Sequence, residues 1–156
     1  MLSILLSKDG ILKVERRLYY SRKGDSMKIR EIMKSPVIVL KPKETVEKAL
    51  EIMNKEKVNG TPIVDDNNHL VGMIVKADIY RFLMDRGHYK SCPVEWVMTK
   101  NVIKAHADEE ILDVAKRLRD YNIIALPVVE DNDEVVGIIS FEDILDYYIA
   151  KEMNKN

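Results

Sequence analysis

Cysteine is nearly absent. The 156 residues hold one, Cys92, so the chain can form neither an internal disulfide nor a multi-cysteine zinc site, which fits a reducing compartment and leads us to expect a cytoplasmic protein. Glycine and proline are scarce, at 6 and 5 residues, while 46% of the chain is hydrophobic and 33% charged. That balance excludes collagen-like and low-complexity chains. Long apolar runs are lacking too: Ile123–Val129, among the longest, falls far short of the roughly 20 residues of a membrane-spanning helix, and no membrane insertion is expected. Neither sign of charge dominates, since 25 basic residues meet 26 acidic ones, which excludes a globally basic nucleic-acid binder.

Chemical motifs are equally sparse. Neither the phosphate-loop pattern nor the Gly-x-Gly-x-x-Gly fingerprint occurs. His69, His88 and His106 have no pairing at metal-ligand spacing, so no metal is expected. Cys92 stands beside Pro93 with no activating base near it in sequence and reads as an inert thiol. The carboxylates of Asp65-Asp66 and Asp108-Glu109-Glu110 fall in a turn or at a helix start, where solvation and the helix dipole account for them. No nucleophile, base and orienting group can be assembled, so we expect no catalytic residues, no catalytic cofactor and no enzyme.

What is present is a repeat. A constant offset of 65 residues places Met33 on Met98, Val37-Ile38 on Val102-Ile103, Pro62 on Pro127 and Val64 on Val129. The same offset carries Asp66-Asn67 onto Asp131-Asn132, Val71-Gly72 onto Val136-Gly137, Ile74 onto Ile139 and Asp78-Ile79 onto Asp143-Ile144. No gap is needed, so the chain contains a duplicated unit of roughly 60 residues. We divide it into residues 27–86 (repeat 1), 87–93 (linker, stopped by Gly87 and Pro93), 94–152 (repeat 2) and 153–156 (tail).

Each copy predicts the order strand, helix, strand, strand, helix. Val37–Leu40 and Val102–Ala105 are short β-rich runs. Apolar residues at helical spacing follow (Val46, Ala49, Leu50, Met53; Ile111, Val114, Ala115, Leu118), with Thr45 and Asp108 as candidate caps. Thr61–Val64 and Leu126–Val129 read as strands joined through polar turns to Leu70–Ile74 and Val135–Ile139. A last helix carries Ile79, Phe82 and Leu83, or Ile144, Leu145, Tyr148 and Ile149, on one face. Trp96, the only tryptophan, is expected to cover the short entrance helix of repeat 2, with a dimer face as the alternative. A lone unit of this size has a marginal core, so the two copies should bury their sheet faces against each other and fold as one α/β (α+β) module with pseudo-two-fold symmetry.

Residues 1–26 form an extension. Lys8-Asp9-Gly10 signals a turn, and alternation at Leu12, Val14, Leu18 and Tyr20 suggests a short hairpin. Residues 1–30 carry eight basic and three acidic side chains, a solvated strand face or, alternatively, a nucleic-acid-binding or membrane-surface patch. Met27 is a candidate natural start, because the interpretable pattern lies after it.

This doubled pattern, with a Met near each entrance, a hydrophobic-Pro-hydrophobic-Val strand, and a Gly-hydrophobic-hydrophobic-x-x-x-Asp junction, resembles the cystathionine-β-synthase (CBS) domain pair, or Bateman module, over about residues 27–152. The resemblance implies a regulatory module that binds an adenosine-containing ligand (AMP, ADP, ATP or S-adenosylmethionine) between its repeats, forms a homodimer, and signals to a separate effector protein. The family's Ser/Thr-x-x-Asp motif stands intact at Ser140 and Asp143. A helix N-terminus there offers free N–H groups to phosphate, a hydroxyl adds a donor, and a carboxylate can accept from two ribose hydroxyls. The same spacing is also that of a helix-capping box. Repeat 1 departs from the motif: Val75 replaces the hydroxyl, leaving Asp78 and Lys76. By the resemblance, Ser140 and Asp143 would form the main cleft with Ser35, Pro36, Val37, Ile38, Val58, Asn59 and Gly60. Asp78 and Lys76 would form a weaker second cleft with Asn101, Val102, Ile123 and Ile124. A dimerisation or structural module without ligand is the alternative reading.

Overall fold

The computed structural model describes residues 27–154, together with the backbone of the strands Ser3–Leu6 (β1) and Leu12–Glu15 (β2). These two strands pair antiparallel, Ser3 opposite Glu15 and Leu6 opposite Leu12. The turn at Lys8–Gly10 and the positions of Leu18 and Tyr20 lie outside the described residues.

Repeat 1 folds as α1 (Val46–Lys55), β3 (Gly60–Val64), β4 (Leu70–Val75) and α2 (Lys76–Met84). Repeat 2 follows as β5 (Ala105–His106), α3 (Ile111–Asp120), β6 (Ala125–Val129), β7 (Val135–Ser140) and α4 (Phe141–Met153). β3 pairs antiparallel with β4, and β6 with β7, through the hairpins that the polar clusters predict. Asn68 and Asp133 both take φ 65° in those turns, a left-handed conformation that short polar side chains tolerate.

The entrance strands are much shorter than the β-rich runs suggest. Of the first, only Leu40 makes a parallel bridge, to Ile63; of the second, only Ala105 and His106 pair, with Val128 and Val129. The reason is that each run crosses from one unit to the other. Residues 34 to 40 begin paired with β7 (Lys34 with Ile138) and end paired with β3, and residues 99 to 106 begin paired with β4 (Thr99 with Met73) and end on β6.

The units have therefore exchanged their first segments. Ile29, on a short 3-10 helix, is completely buried in the core of repeat 2 among Ala105, Ile111, Val114, Leu118 and Ile139. Val94, its partner at the 65-residue offset, is completely buried in the core of repeat 1 with Leu40, Val46, Met53, Ile63 and Ile74. Each such side chain contributes about 1.5–3 kcal/mol by leaving water. Matching hydrogen bonds hold both segments: Ile29 N to Glu109 O and Arg30 N to Ala107 O, both 2.9 Å, against Val94 N to Glu44 O (2.8 Å) and Glu95 N to Pro42 O (3.1 Å). The carbonyls of Cys92 and Lys90 also accept from Val46 and Glu47, and that of Met27 from Ile111, so each exchanged arm satisfies otherwise open N–H groups of a helix start.

This corrects the expectation of one shared core. Each unit keeps its own, and they meet in a third small cluster of Val64, Val129 and Val135, flanked by Val37, Val39 and Leu70. There Leu70 N donates to Asp133 O and Val135 N to Asn68 O, both at 3.0 Å. Three further expectations change. The start of α3 is set at Glu110, while Asp108 pairs with Arg30 instead of capping; Thr45 does cap α1, accepting from Lys48 N at 3.2 Å. Trp96 is 63% exposed and covers no core. On α4 the core takes Ile144, Tyr147 and Tyr148, and Leu145 and Ile149 face outward. Lys28 and Arg30, two of the eight basic residues of the amino-terminal stretch, are engaged in ion pairs with repeat 2.

Gly72 and Gly137 let the exchanged arms lie flat on the sheets. A Cβ on Gly137 would stand 2.6 Å from Met33 Sδ and 3.0 Å from Lys34 O; on Gly72 it would meet Met98 Sδ at 2.6 Å and Thr99 O at 3.1 Å. Gly137→Ala should lower stability by about 1–3 kcal/mol, because a backbone carbonyl as well as a methionine must shift, and urea unfolding measures this.

Arg30 grips Glu130 through both carboxylate oxygens (2.6 and 3.0 Å) and Asp108 at 3.2 Å. The hydrogen bonds from Arg30 hold the Glu130 carboxyl below its ordinary value of 4.5. A depressed carboxyl stabilises the fold above its unfolded value and loses that contribution as pH falls through the folded value. Arg30→Gln should therefore lower Tm at pH 7, with the gap from the wild type closing as the pH falls below about 4.5 in thermal melts.

Candidate functional site

Ser140 ends β7 and opens α4, and its side chain and Asp143 close on each other. Asp143 N donates to Ser140 Oγ at 3.1 Å, while Asp143 Oδ2 accepts from Ser140 N at 2.8 Å and from Ser140 Oγ at 2.6 Å. The capping box is thus made in full. The hydroxyl proton of Ser140 goes to Asp143 and is not aimed outward. The carboxylate is only 10% exposed, and its other oxygen, Oδ1, meets the ammonium of Lys34 at 3.1 Å.

Lys34 arrives from the crossing arm of repeat 1. Its backbone pairs with Ile138 of β7 in both directions, at 2.9 and 3.1 Å, which fixes the arm beside the start of α4 and brings Ser35 and Pro36, both exposed, next along the chain. Ser35 and Pro36 are joined by a cis peptide bond. Further on, the arm turns inward: Val37 packs on the central cluster and Ile38 O accepts from the buried Thr61 hydroxyl of β3.

The second carboxylate differs. Val75 precedes α2 and makes no side-chain cap, so Asp78 is freed from a capping box; it is held instead by Arg81 of its own helix, Nη2 to Oδ1 at 2.8 Å. The arm reaching this side carries Thr99, bridged to Met73 of β4, followed by exposed Asn101 and half-buried Val102.

The strand-opening residues group differently from the expectation. Lys76 N donates to Asn59 O at 2.8 Å, and Gly60 lies opposite Val75, so Asn59 and Gly60 adjoin the start of α2 and Asp78. Phe141 N donates to Ile124 O at 2.9 Å, so Ile124, 77% exposed, adjoins the start of α4 with Ser140 and Asp143. Val58 and Ile123 pack against the cores of their own repeats. The close approach at Gly60 is to β4, since an added Cβ would meet Val75 Cγ1 at 2.9 Å. The structure thus places the first crossing arm on the carboxylate of the opposite repeat and pairs the second with β4 of the opposite repeat, while the strand-opening residues adjoin the carboxylate-bearing helices of their own.

Sequence reasoning passes over Lys34. Its one signal is position: it immediately precedes Ser35, and the 65-residue offset puts a neutral Thr99 opposite it. The histidines have local roles: His88 stacks on Phe82 with ring centroids 3.9 Å apart, and His69 and His106 lie 3.5 and 3.8 Å from Asp65 and Asp131. Among the described residues no helix is long and apolar enough to cross a membrane.

Two strand-helix-strand-strand-helix units that exchange arms and set a carboxylate beside each define a tandem-repeat module. The model of the CBS domain matches residues 29–85 and again 94–150, and the chain belongs to the CBS-domain family. It is 38% identical over 116 residues to L-aspartate semialdehyde sulfurtransferase of Methanocaldococcus jannaschii, a match covering 74% of this chain and 22% of that protein. The chain spans about a quarter of the length of this relative and of the homoserine O-acetyltransferases it also matches. Among solved structures it is similar to a CBS domain pair in complex with 5′-methylthioadenosine and S-adenosyl-L-methionine (TM-score 0.74, 35% identity, covering 81% of this chain and 99% of that one). It also shares the fold of CBSX2 in complex with AMP (TM-score 0.73, 24% identity, 80% and 98%).

Proposed function

We propose that this chain is a non-catalytic regulatory module that binds an adenosine-containing ligand, of the AMP, ADP, ATP or S-adenosylmethionine class, and signals its level to a separate effector protein. The observation that carries this reading is the nearly buried Asp143 carboxylate at the start of α4, reached by an arm from the opposite repeat. A ligand seated there touches both repeats and stabilises one arrangement of them. At 100 times its dissociation constant it contributes roughly 2.7 kcal/mol to that arrangement. The main cleft comprises Ser140 and Asp143 with Ser35 and Pro36, and the hydrogen bond from Phe141 N to Ile124 O favours the apolar Ile124 over Asn59 as its strand-opening residue. The second cleft comprises Asp78 and Lys76 with Asn101 and Val102, and Asn59 joins it.

The second reading is a structural or dimerisation module without ligand. It is favoured by the capping box, which satisfies Ser140 and half of Asp143 internally. Titration calorimetry with AMP, ADP, ATP, S-adenosylmethionine and 5′-methylthioadenosine separates the two. Asp143→Asn keeps an oxygen for the cap and removes the charge, so it should weaken binding about tenfold or more while Asp78→Asn weakens it less. Heat from none of the five ligands, with no rise in Tm, would sink the ligand reading.

The regulatory module would act as a homodimer. Tyr80 and Met84 on α2 are exposed, as are Leu145 and Ile149 at the matching positions of α4, with Phe141 one turn earlier. Apolar stripes repeated on both pseudo-symmetric helices suit a second copy. Leu145→Lys should shift sedimentation from dimer to monomer without loss of secondary structure.

A further inference from the structure

We infer that Lys34 sets the ligand class of the main cleft, selecting adenosine ligands that carry negative charge on the 5′ side over uncharged or cationic ones. The inference rests on the adenosine-binding reading above and adds to it the residue that chooses among such ligands.

A carboxylate offers about four acceptor positions, two on each oxygen. Asp143 Oδ2 uses both of its own on the backbone N–H and hydroxyl of Ser140. Oδ1 uses one on the Lys34 ammonium. A vicinal diol brings two donors to the single position left, so while the capping box stays closed the ammonium moves off before the ribose is held by both hydroxyls.

Where the ammonium goes then decides the selectivity. Lys34 is 67% exposed at its side chain, on a flexible four-carbon stem, yet its backbone is bound on both sides to Ile138 of β7. It therefore stays over the cleft after leaving Asp143. A ligand with a 5′ phosphate gives it a new anion next to the start of α4, where helix N–H groups favour negative charge already. An uncharged ligand such as 5′-methylthioadenosine displaces the ammonium and returns nothing. A sulfonium ligand such as S-adenosylmethionine places a cation beside it.

The other cleft lacks this arrangement. Thr99 stands at the position equivalent to Lys34, and Asp78 is held by Arg81 from the same helix instead of by a residue of the crossing arm. Charge selection by the arm is thus a property of one cleft only.

The test uses the full chain carrying Asp78→Asn, which mutes the second cleft, in three forms: with Lys34 kept, with Lys34→Met and with Lys34→Arg. AMP, 5′-methylthioadenosine and S-adenosylmethionine are titrated calorimetrically. With Lys34 in place, AMP should bind tighter than 5′-methylthioadenosine. Lys34→Met should weaken AMP about tenfold and tighten 5′-methylthioadenosine by up to about fivefold, since no half-exposed ion pair has to be broken. Lys34→Arg should keep the preference for AMP. Affinity ratios among the three ligands that are the same with and without Lys34→Met would overturn the role of Lys34 and leave the proposed function standing. Failure of every ligand to bind any of the three chains would overturn the adenosine reading itself.

Discussion

Everything in this molecule depends on the exchange of the first segments between the repeats. Ile29 completes the core of repeat 2 and Val94 that of repeat 1. A unit of roughly 60 residues buries too little surface to be comfortable alone. Here the missing part of each core is supplied by the other, so neither repeat closes its core, or satisfies all the N–H groups at the start of its first long helix, without its neighbour. The candidate sites are a by-product of the same crossing. An arm that must travel from β7 to β3 passes the start of α4, and that passage places Lys34 on Asp143.

A duplicated sequence raises the question of why each arm goes to the opposite repeat, since both docking sites accept the same backbone pattern. Charge supplies a discriminator. Arg30 docks on Asp108, while at the equivalent positions Glu95 docks on Lys43 at 2.6 Å, so the signs are inverted between copies. Were each arm to dock on its own repeat, Arg30 would face Lys43 and Glu95 would face Asp108. Both mismatches repel. Exposed pairs contribute little to stability, but a reversal of sign at both ends distinguishes two otherwise near-equal packings.

That degeneracy also explains what the sequence could and could not reveal. The 65-residue offset and the apolar spacing are enough to read helices α1 to α4, both hairpins and the Ser140–Asp143 pair, because these depend on contacts within one copy. The exchange depends on which copy is the partner, and a repeat pattern is the same for either choice. Hence Val37–Leu40 reads as a strand although only its end finds a partner, and Asp108 reads as a cap although its place opposite Arg30 is set by the arm. Lys34 is hidden for the same reason, because its partner Asp143 belongs to the other copy. Asn59 and Ile124 are a different case: they meet Lys76 and Phe141 of their own copies, whereas the resemblance assigns each to the opposite one. Trp96 is a different case, since an aromatic on a three-residue helix has no periodicity to show which way it faces.

Duplication with exchange makes two candidate carboxylate sites, and the side chains that touch the carboxylate differ between them. Ser140 corresponds to Val75, Lys34 to Thr99, and the Arg81 that holds Asp78 corresponds to Asp146. The backbone that creates the sites is shared, down to Gly72 and Gly137 under Met98 and Met33. Substitutions at the cap, the arm and the second helix can therefore change one site without loosening the frame that both depend on, because none of those three positions contributes a buried apolar side chain to either core. Under the proposed function, two sites of unequal charge on one frame would respond to different ligands while sharing the same pair of arms, so occupancy of either would bear on the arrangement that the other recognises.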